Sequence, residues 1–176
     1  SGWKSIEGEM PDNVRLSVPK WIFEMLISGY GREQTEAFLL GTFRGSNGLT
    51  ARVNTSVTDM ETVIRALENE GCNITKCNVQ DSTFRLAGFD SLTDLSAFKE
   101  GLFSIQDASS VRAALAGCRV LEKRGSEPGL ILDVCAAPGG KSICAAQVFP
   151  GARVISRDVS EKKKRLIDEN AKRLML

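Results

Sequence analysis

The sequence predicts an α/β chain: a small α+β sandwich followed by the first βαβα of a parallel sheet. Two observations carry this. Between residues 49 and 100 a strand, a helix and two further strands alternate. Beyond them an apolar strand breaks into the glycine turn of "DVCAAPGGKS", Asp133 to Ser142, and a helix, a strand and a second helix follow. A strandless helical pattern fills the beginning. The expected divisions are a helical leading segment over 1–48, an α+β domain over 49–100, and the parallel unit over 101–176.

Taken in order, Pro19 to about Arg44 is helical. Trp21, Ile22, Met25 and Leu26 share a face, "GYG" interrupts it, and Ala37, Phe38 and Leu40 resume it; Gly45–Gly48 is a loop. "LTARVN" reads as a strand. Asp59 is placed to cap a helix carrying Met60, Val63, Ile64 and Leu67, which Gly71 ends. "NITKCNV" and "TFRLAGF" read as short strands, with a further helix near Leu92–Phe98. This order is that of a ferredoxin or RNA-recognition sandwich. The aromatic pair with which such sheets stack bases is not evident, so the shape alone does not imply RNA binding.

From Gly101, "LFSIQD" reads as an extended lead-in to the third region, "ASSVRAALAG" as a helix packed through small residues, and "EKRGSEPG" as a polar linker. Strand 130–134, helix 139–148, strand 153–156 and a helix from about Ser160 to Leu174 then form a βαβα unit. Its crossover is right-handed, and a ligand would sit beyond the carboxyl ends of its strands.

Composition removes several functions. No apolar run approaches the ~20 residues of a membrane span, and no signal peptide is evident. With 23 basic and 22 acidic residues, nothing pulls the whole chain toward nucleic acid. Five cysteines without the spacing of a disulfide scaffold indicate reduced thiols and a cytoplasmic protein. The absence of histidine removes imidazole acid–base catalysis and the commonest zinc ligand; Cys72 and Cys77, a C-x4-C pair without a second pair, read as small hydrophobes, and no metal site is expected.

Three cofactor classes use a strand, a glycine turn and a helix. A phosphate loop would need glycine where Cys135 stands, and Pro138 removes an amide donor from the cradle. The dinucleotide spacing G-x-G-x-x-G is absent. S-adenosylmethionine has no phosphates: it needs amides at a helix start near its carboxylate, which Gly139 and Gly140 would expose, and an acid at the next strand's end for the ribose. Asp158, 18 positions after Gly140, is that acid.

"DVCAAPGGKS" with "RDVSEKKKRLIDENAKRL" closely resembles the Sun (Fmu) family of RNA cytosine-C5 methyltransferases, of the bacterial 16S rRNA type. "LTARVNT", "FKEGLFSIQDASS" and "VPKWIFEMLISGYG" resemble other segments of that family, so the resemblance covers nearly the whole chain. It implies an RNA-recognition-like domain, a Rossmann-like methyltransferase domain and S-adenosyl-L-methionine as cofactor. Cys135, Ala136, Ala137, Pro138, Gly139, Gly140 and Lys141 would form the cofactor loop, Asp158 would bind the ribose, and Arg52 and Asn54 fall in the RNA-recognition-like domain. Met175 departs from the family's glycine after "RL", and Arg157 stands where it could pair with Asp158. The basic run holding Lys162, Lys163 and Arg165 is a candidate phosphate contact, set against an ordinary solvated face.

Cytosine-C5 methylation needs a thiolate that adds to C6. The resemblance places the functional cysteines in later Pro-Cys and Thr-Cys motifs that this sequence does not contain. No catalytic residue is therefore assigned: Cys135 belongs to the loop, and the chain is expected to be a truncated, inactive part of such an enzyme, with its open strand edge inviting self-association. Ribosomal or transfer RNA would be the partner, and a non-catalytic RNA-binding or assembly module is the alternative.

Overall fold

Pro19 and Gly31 punctuate the first part of the chain. The structure, a computed structural model, describes residues 10–43, 48–77 and 81–176, and it divides into two units, Ser1–Ser46 and Asn47–Leu176. The loop expected at Gly45–Gly48 and the end of "NITKCNV" lie largely outside the described residues.

The first unit holds α1 (Asp12–Arg15), α2 (Lys20–Tyr30) and α3 (Arg32–Phe43). Gly31, at φ 78, makes the break, while Gly29 and Tyr30 stay helical. Leu16, Phe23 and Leu39 form the core, with Val18, Leu26 and Ile27 packed against it. The expected faces are thus corrected: Trp21, Met25, Phe38 and Leu40 are exposed. Helix α2 is apolar nearly all round, so two stripes at helical spacing fit its sequence, and only packing selects the one through Phe23.

In the second unit β1 (Leu49–Val53), β2 (Asn73–Lys76), β3 (Thr83–Ala87) and β4 (Phe103–Ile105) form an antiparallel sheet in the order β2-β3-β1-β4. Helix α4 (Met60–Asn69) begins where Asp59 Oδ1 accepts the Thr62 N–H at 2.8 Å, and it buries Val63 and Leu67 completely. These two side chains meet Val53, Leu86, Phe84 and Phe103, the last two edge to face at 5.7 Å between centroids. The second helical segment is shorter than expected: a 3₁₀ turn at Leu92–Asp94 precedes the single turn of α5 (Ser96–Lys99), whose Ser96 and Ala97 amides donate to the Glu70 carboxylate at 2.8 and 3.2 Å.

"LFSIQD" is not a lead-in to the third region. Its Phe103–Ile105 pairs with β1, Val53 opposite Phe103 and Ala51 opposite Ile105, so the antiparallel sheet extends past the boundary expected at residue 100. A three-residue strand is too short to display a period in sequence.

Helix α6 (Ala108–Lys123) runs into the expected linker and packs through Val111 and Leu115 on Cys144 of α7 (Gly140–Val148). Strands β5 (Leu130–Asp133) and β6 (Arg153–Ser156) pair in parallel, and α8 (Glu161–Arg173) follows, all within about a residue or two of the sequence reading. Asp133 lies opposite Ser156, so both strand ends open on the same side. On one face of the β5 segment Leu130, Leu132 and Val134 are exposed. Among the described residues no helix is long and apolar enough to cross a membrane.

Candidate cofactor site

Strand β5 runs into the turn through continued pairing: Arg157 N–H donates to the Asp133 carbonyl at 2.8 Å, and Ala136 N–H to the Arg157 carbonyl at 3.0 Å. The Ala137–Pro138 peptide is cis. Gly139, at φ 106, then opens α7, a backbone conformation that favours glycine, and a β-carbon there would stand 3.3 Å from Ile143 Cδ1.

Three side chains that the sequence reading did not single out shape this turn. Asp133 Oδ1 accepts the Cys135 N–H at 3.2 Å, while its Oδ2 accepts the Ser142 hydroxyl at 2.8 Å. Asn170 of α8 donates to the Pro138 carbonyl at 2.9 Å. An aspartate closing a strand two residues before a backbone amide is the signal that could have revealed the first. Lys141 Nζ donates to the Cys135 carbonyl at 3.0 Å, and both side chains belong to exposed or half-exposed residues.

Asp158 meets the turn directly. Its Oδ2 accepts the Ala137 N–H at 2.9 Å, and its Oδ1 accepts the Val159 N–H at 2.8 Å and lies 3.1 Å from the Lys163 ammonium. The Val159 and Ala137 amides, then Lys163, hold its carboxyl below the usual carboxylate range. The partner of Asp158 is therefore Lys163, where sequence proximity had suggested Arg157. A carboxylate offers about four lone-pair sites, and three are in use. The glycine turn and the acid stand at the same end of the sheet. Amides and an ammonium for a carboxylate, with an acid for a diol, form the donor set that an amino-acid nucleoside such as S-adenosylmethionine requires. The residue types fit that cofactor, with the Asp158 carboxylate turned onto the loop and its side chain 2% exposed.

Gly140 differs from Gly139. A β-carbon on it would lie 3.1 Å from Cδ of Gln106, so the space its missing side chain leaves is filled by protein. Gln106 belongs to a buried polar cluster around Arg52 and Asn54. Arg52 is 3% exposed; its Nε donates to Gln106 Oε1 at 3.0 Å, its Nη1 donates to Gln147 Oε1, and burial pushes its pKa down. Asn54, 1% exposed, donates to the Gly101 and Leu174 carbonyls at 2.9 and 3.0 Å and accepts from Gln147 Nε2 at 2.6 Å. The expectation that these two side chains contact RNA is corrected by their burial: they join the antiparallel sheet to α7 and the end of α8. Arg173 adds to that junction, donating to the Phe98 and Phe103 carbonyls at 2.9 and 3.0 Å with its guanidinium 3.8 Å from the centre of the Phe98 ring.

Of the basic run, Lys162 and Arg165 are exposed, whereas Lys163 is drawn to Asp158. Burial pushes the Cys72, Cys118 and Cys144 thiols up, away from the thiolate a nucleophile needs, and Cys135 in the turn is exposed.

Known proteins resemble this chain in sequence and fold. A family model for the ferredoxin-like domain of RsmF/B-like methyltransferases matches residues 18–92, and one for the 16S rRNA methyltransferase RsmB/F matches residues 119–176. Ribosomal RNA small subunit methyltransferase B of Proteus mirabilis is 30% identical over 158 residues, covering 90% of this chain and 36% of the relative. A probable methyltransferase B of Bacillus subtilis is 31% identical, covering 91% and 34%. The chain spans about a third of the length of these curated relatives. Among solved structures, a methyltransferase homolog from Pyrococcus horikoshii superposes with a TM-score of 0.76 at 25% identity, covering 93% of this chain and 52% of the other. NSun6 from the same organism, crystallised with SFG, has the same fold at a TM-score of 0.74 and 20% identity, covering 89% and 63%.

Proposed function

The chain belongs to the RsmB/F family of 16S rRNA methyltransferases, and from that premise we propose that it carries the RNA-recognition-like domain and the cofactor turn of an S-adenosylmethionine-dependent rRNA cytosine-C5 methyltransferase. The observation that supports this most is the Asp158 carboxylate bonded to the Ala137 amide of the glycine turn, since it joins the two halves of a nucleoside amino-acid site.

Residues Cys135 to Lys141 would hold the amino-acid end of the cofactor, with Gly139 admitting the helix start and Lys141 contributing charge. Asp158 would take the ribose hydroxyls on its remaining acceptor capacity. When bound, S-adenosylmethionine supplies an electrophilic methyl group. This chain's own part is to bind and orient that group. Its buried thiols are held protonated, Cys135 serves the turn and Cys77 follows strand β2 of the other sheet, so methyl transfer by this chain alone is not expected. Lys162 and Arg165 would meet RNA phosphates, Lys163 would orient Asp158, and the apolar stripe Leu130, Leu132 and Val134 is where a second copy would associate.

Isothermal titration with S-adenosylmethionine tests the reading. Weak binding to the wild-type chain that D158A abolishes is the expected result. Equal heats from both proteins would refute the assignment of Asp158.

A further inference from the structure

We infer that Gln106 is a positioning residue for the cofactor turn, acting through Gly140; this deepens the proposed function and rests on its cofactor assignment. Gln106 stands just beyond β4, and its backbone N–H donates to the Thr50 carbonyl at 3.1 Å, which ties it to β1. Arg52 Nε grips its side-chain oxygen at 3.0 Å. The next residue, Asp107, caps α6 by accepting the Ser109 N–H at 3.1 Å, and α6 packs on α7. The Gln106 backbone is thus fixed on both sides, its carboxamide is held by Arg52, and the residue is 6% exposed.

What it presses on is the first residue of α7. Its Cδ, Nε2 and Cγ lie 3.1, 3.2 and 3.3 Å from where a β-carbon of Gly140 would be. Its Nε2 is buried without a hydrogen-bond partner. A buried amide that leaves a donor unpaired carries a penalty, which an apolar side chain would avoid only by taking the oxygen away from the buried Arg52 guanidinium. Position accounts for it: the oxygen must meet Arg52 while the flat amide lies against glycine. The antiparallel sheet thereby sets the height of the helix start, and with it the amides that receive the amino-acid end of the ligand.

The test compares wild type, Q106A and Q106E in the full chain by NMR. S-adenosylhomocysteine and 5′-methylthioadenosine serve as probes; they share the adenosine and differ in the amino-acid end. The account expects Q106A to lose about tenfold in affinity for S-adenosylhomocysteine, the worth of one charge-assisted hydrogen bond, with its affinity for methylthioadenosine unchanged. Q106E, which keeps the shape and the Arg52 contact, should restore wild-type binding. Equal losses for both probes, or none, would overturn the inference. Amide exchange without ligand at Gly139 and Ile143, whose N–H groups donate to the Ala136 and Gly139 carbonyls, is the second readout: Q106A should accelerate it and Q106E should not, and unchanged exchange in Q106A would overturn positioning. Wild type binding neither probe would refute the cofactor assignment instead, leaving the exchange measurement to judge Gln106 by itself.

Discussion

The Arg52–Asn54 corner and the Pro138–Gly139 turn are both crowded with polar groups, yet they use them differently. At the corner every group faces protein. Asn54 satisfies two carbonyls and a carboxamide from elements far along the chain, and nothing is left for solvent. At the turn the Asp158 side chain, itself 2% exposed, holds the Ala137 and Val159 amides and the Lys163 ammonium, but its surroundings are open: Val159 is 90% exposed, and Cys135 and Lys163 reach water. A basic or amide residue in a motif can therefore be scaffold, and the exposure of what surrounds it decides which it is.

The largest effect is expected at Gly101. A β-carbon there would overlap the Arg173 carbonyl oxygen, and the glycine sits at φ 71, so G101A should drive the end of α8 off the antiparallel sheet. A loss of about 4 kcal/mol in urea unfolding is expected, as for other strained, overpacked positions. A loss below about 1 kcal/mol would mean the junction can relax. N54A comes next. It leaves the Gly101 and Leu174 carbonyls and Gln147 Nε2 without their partner, and about 3 kcal/mol should be lost. Retained stability with weakened RNA binding would reverse the contrast between corner and turn.

The smallest effect is that of acid on the turn. The Asp158 carboxyl titrates lower when folded than its unfolded value of about 3.9. Its contribution is therefore complete above that value and fades as pH falls through the lower folded one. Amide exchange at Ala137, corrected for intrinsic rates, should hold steady down to about pH 4 and then accelerate, while D158N removes the step.

The βαβα unit was legible because its apolar strand, glycine turn and closing acid lie together in sequence. Strand β4 was not, having three residues and no local period. The stripe buried on α2 was ambiguous because Trp21 and Met25 mark one apolar face and Phe23 with Ile27 another. The roles of Arg52 and Asn54 were hidden for another reason: Gln106, Gln147 and Leu174, their partners, are separated from them by 54 to 120 positions. Neighbouring residues give no sign of such contacts. Asp133 was visible at the head of the motif, but its two hydrogen bonds depend on how the turn folds back.

Mapping amide shifts on addition of S-adenosylhomocysteine tests the central assignment most directly. The account predicts shifts concentrated at Ala136–Ser142 and at Asp158–Ser160, absent in D158N while its melting curve persists. Shifts centred on the Arg52–Asn54 corner, or a D158N chain that binds as wild type does, would contradict it.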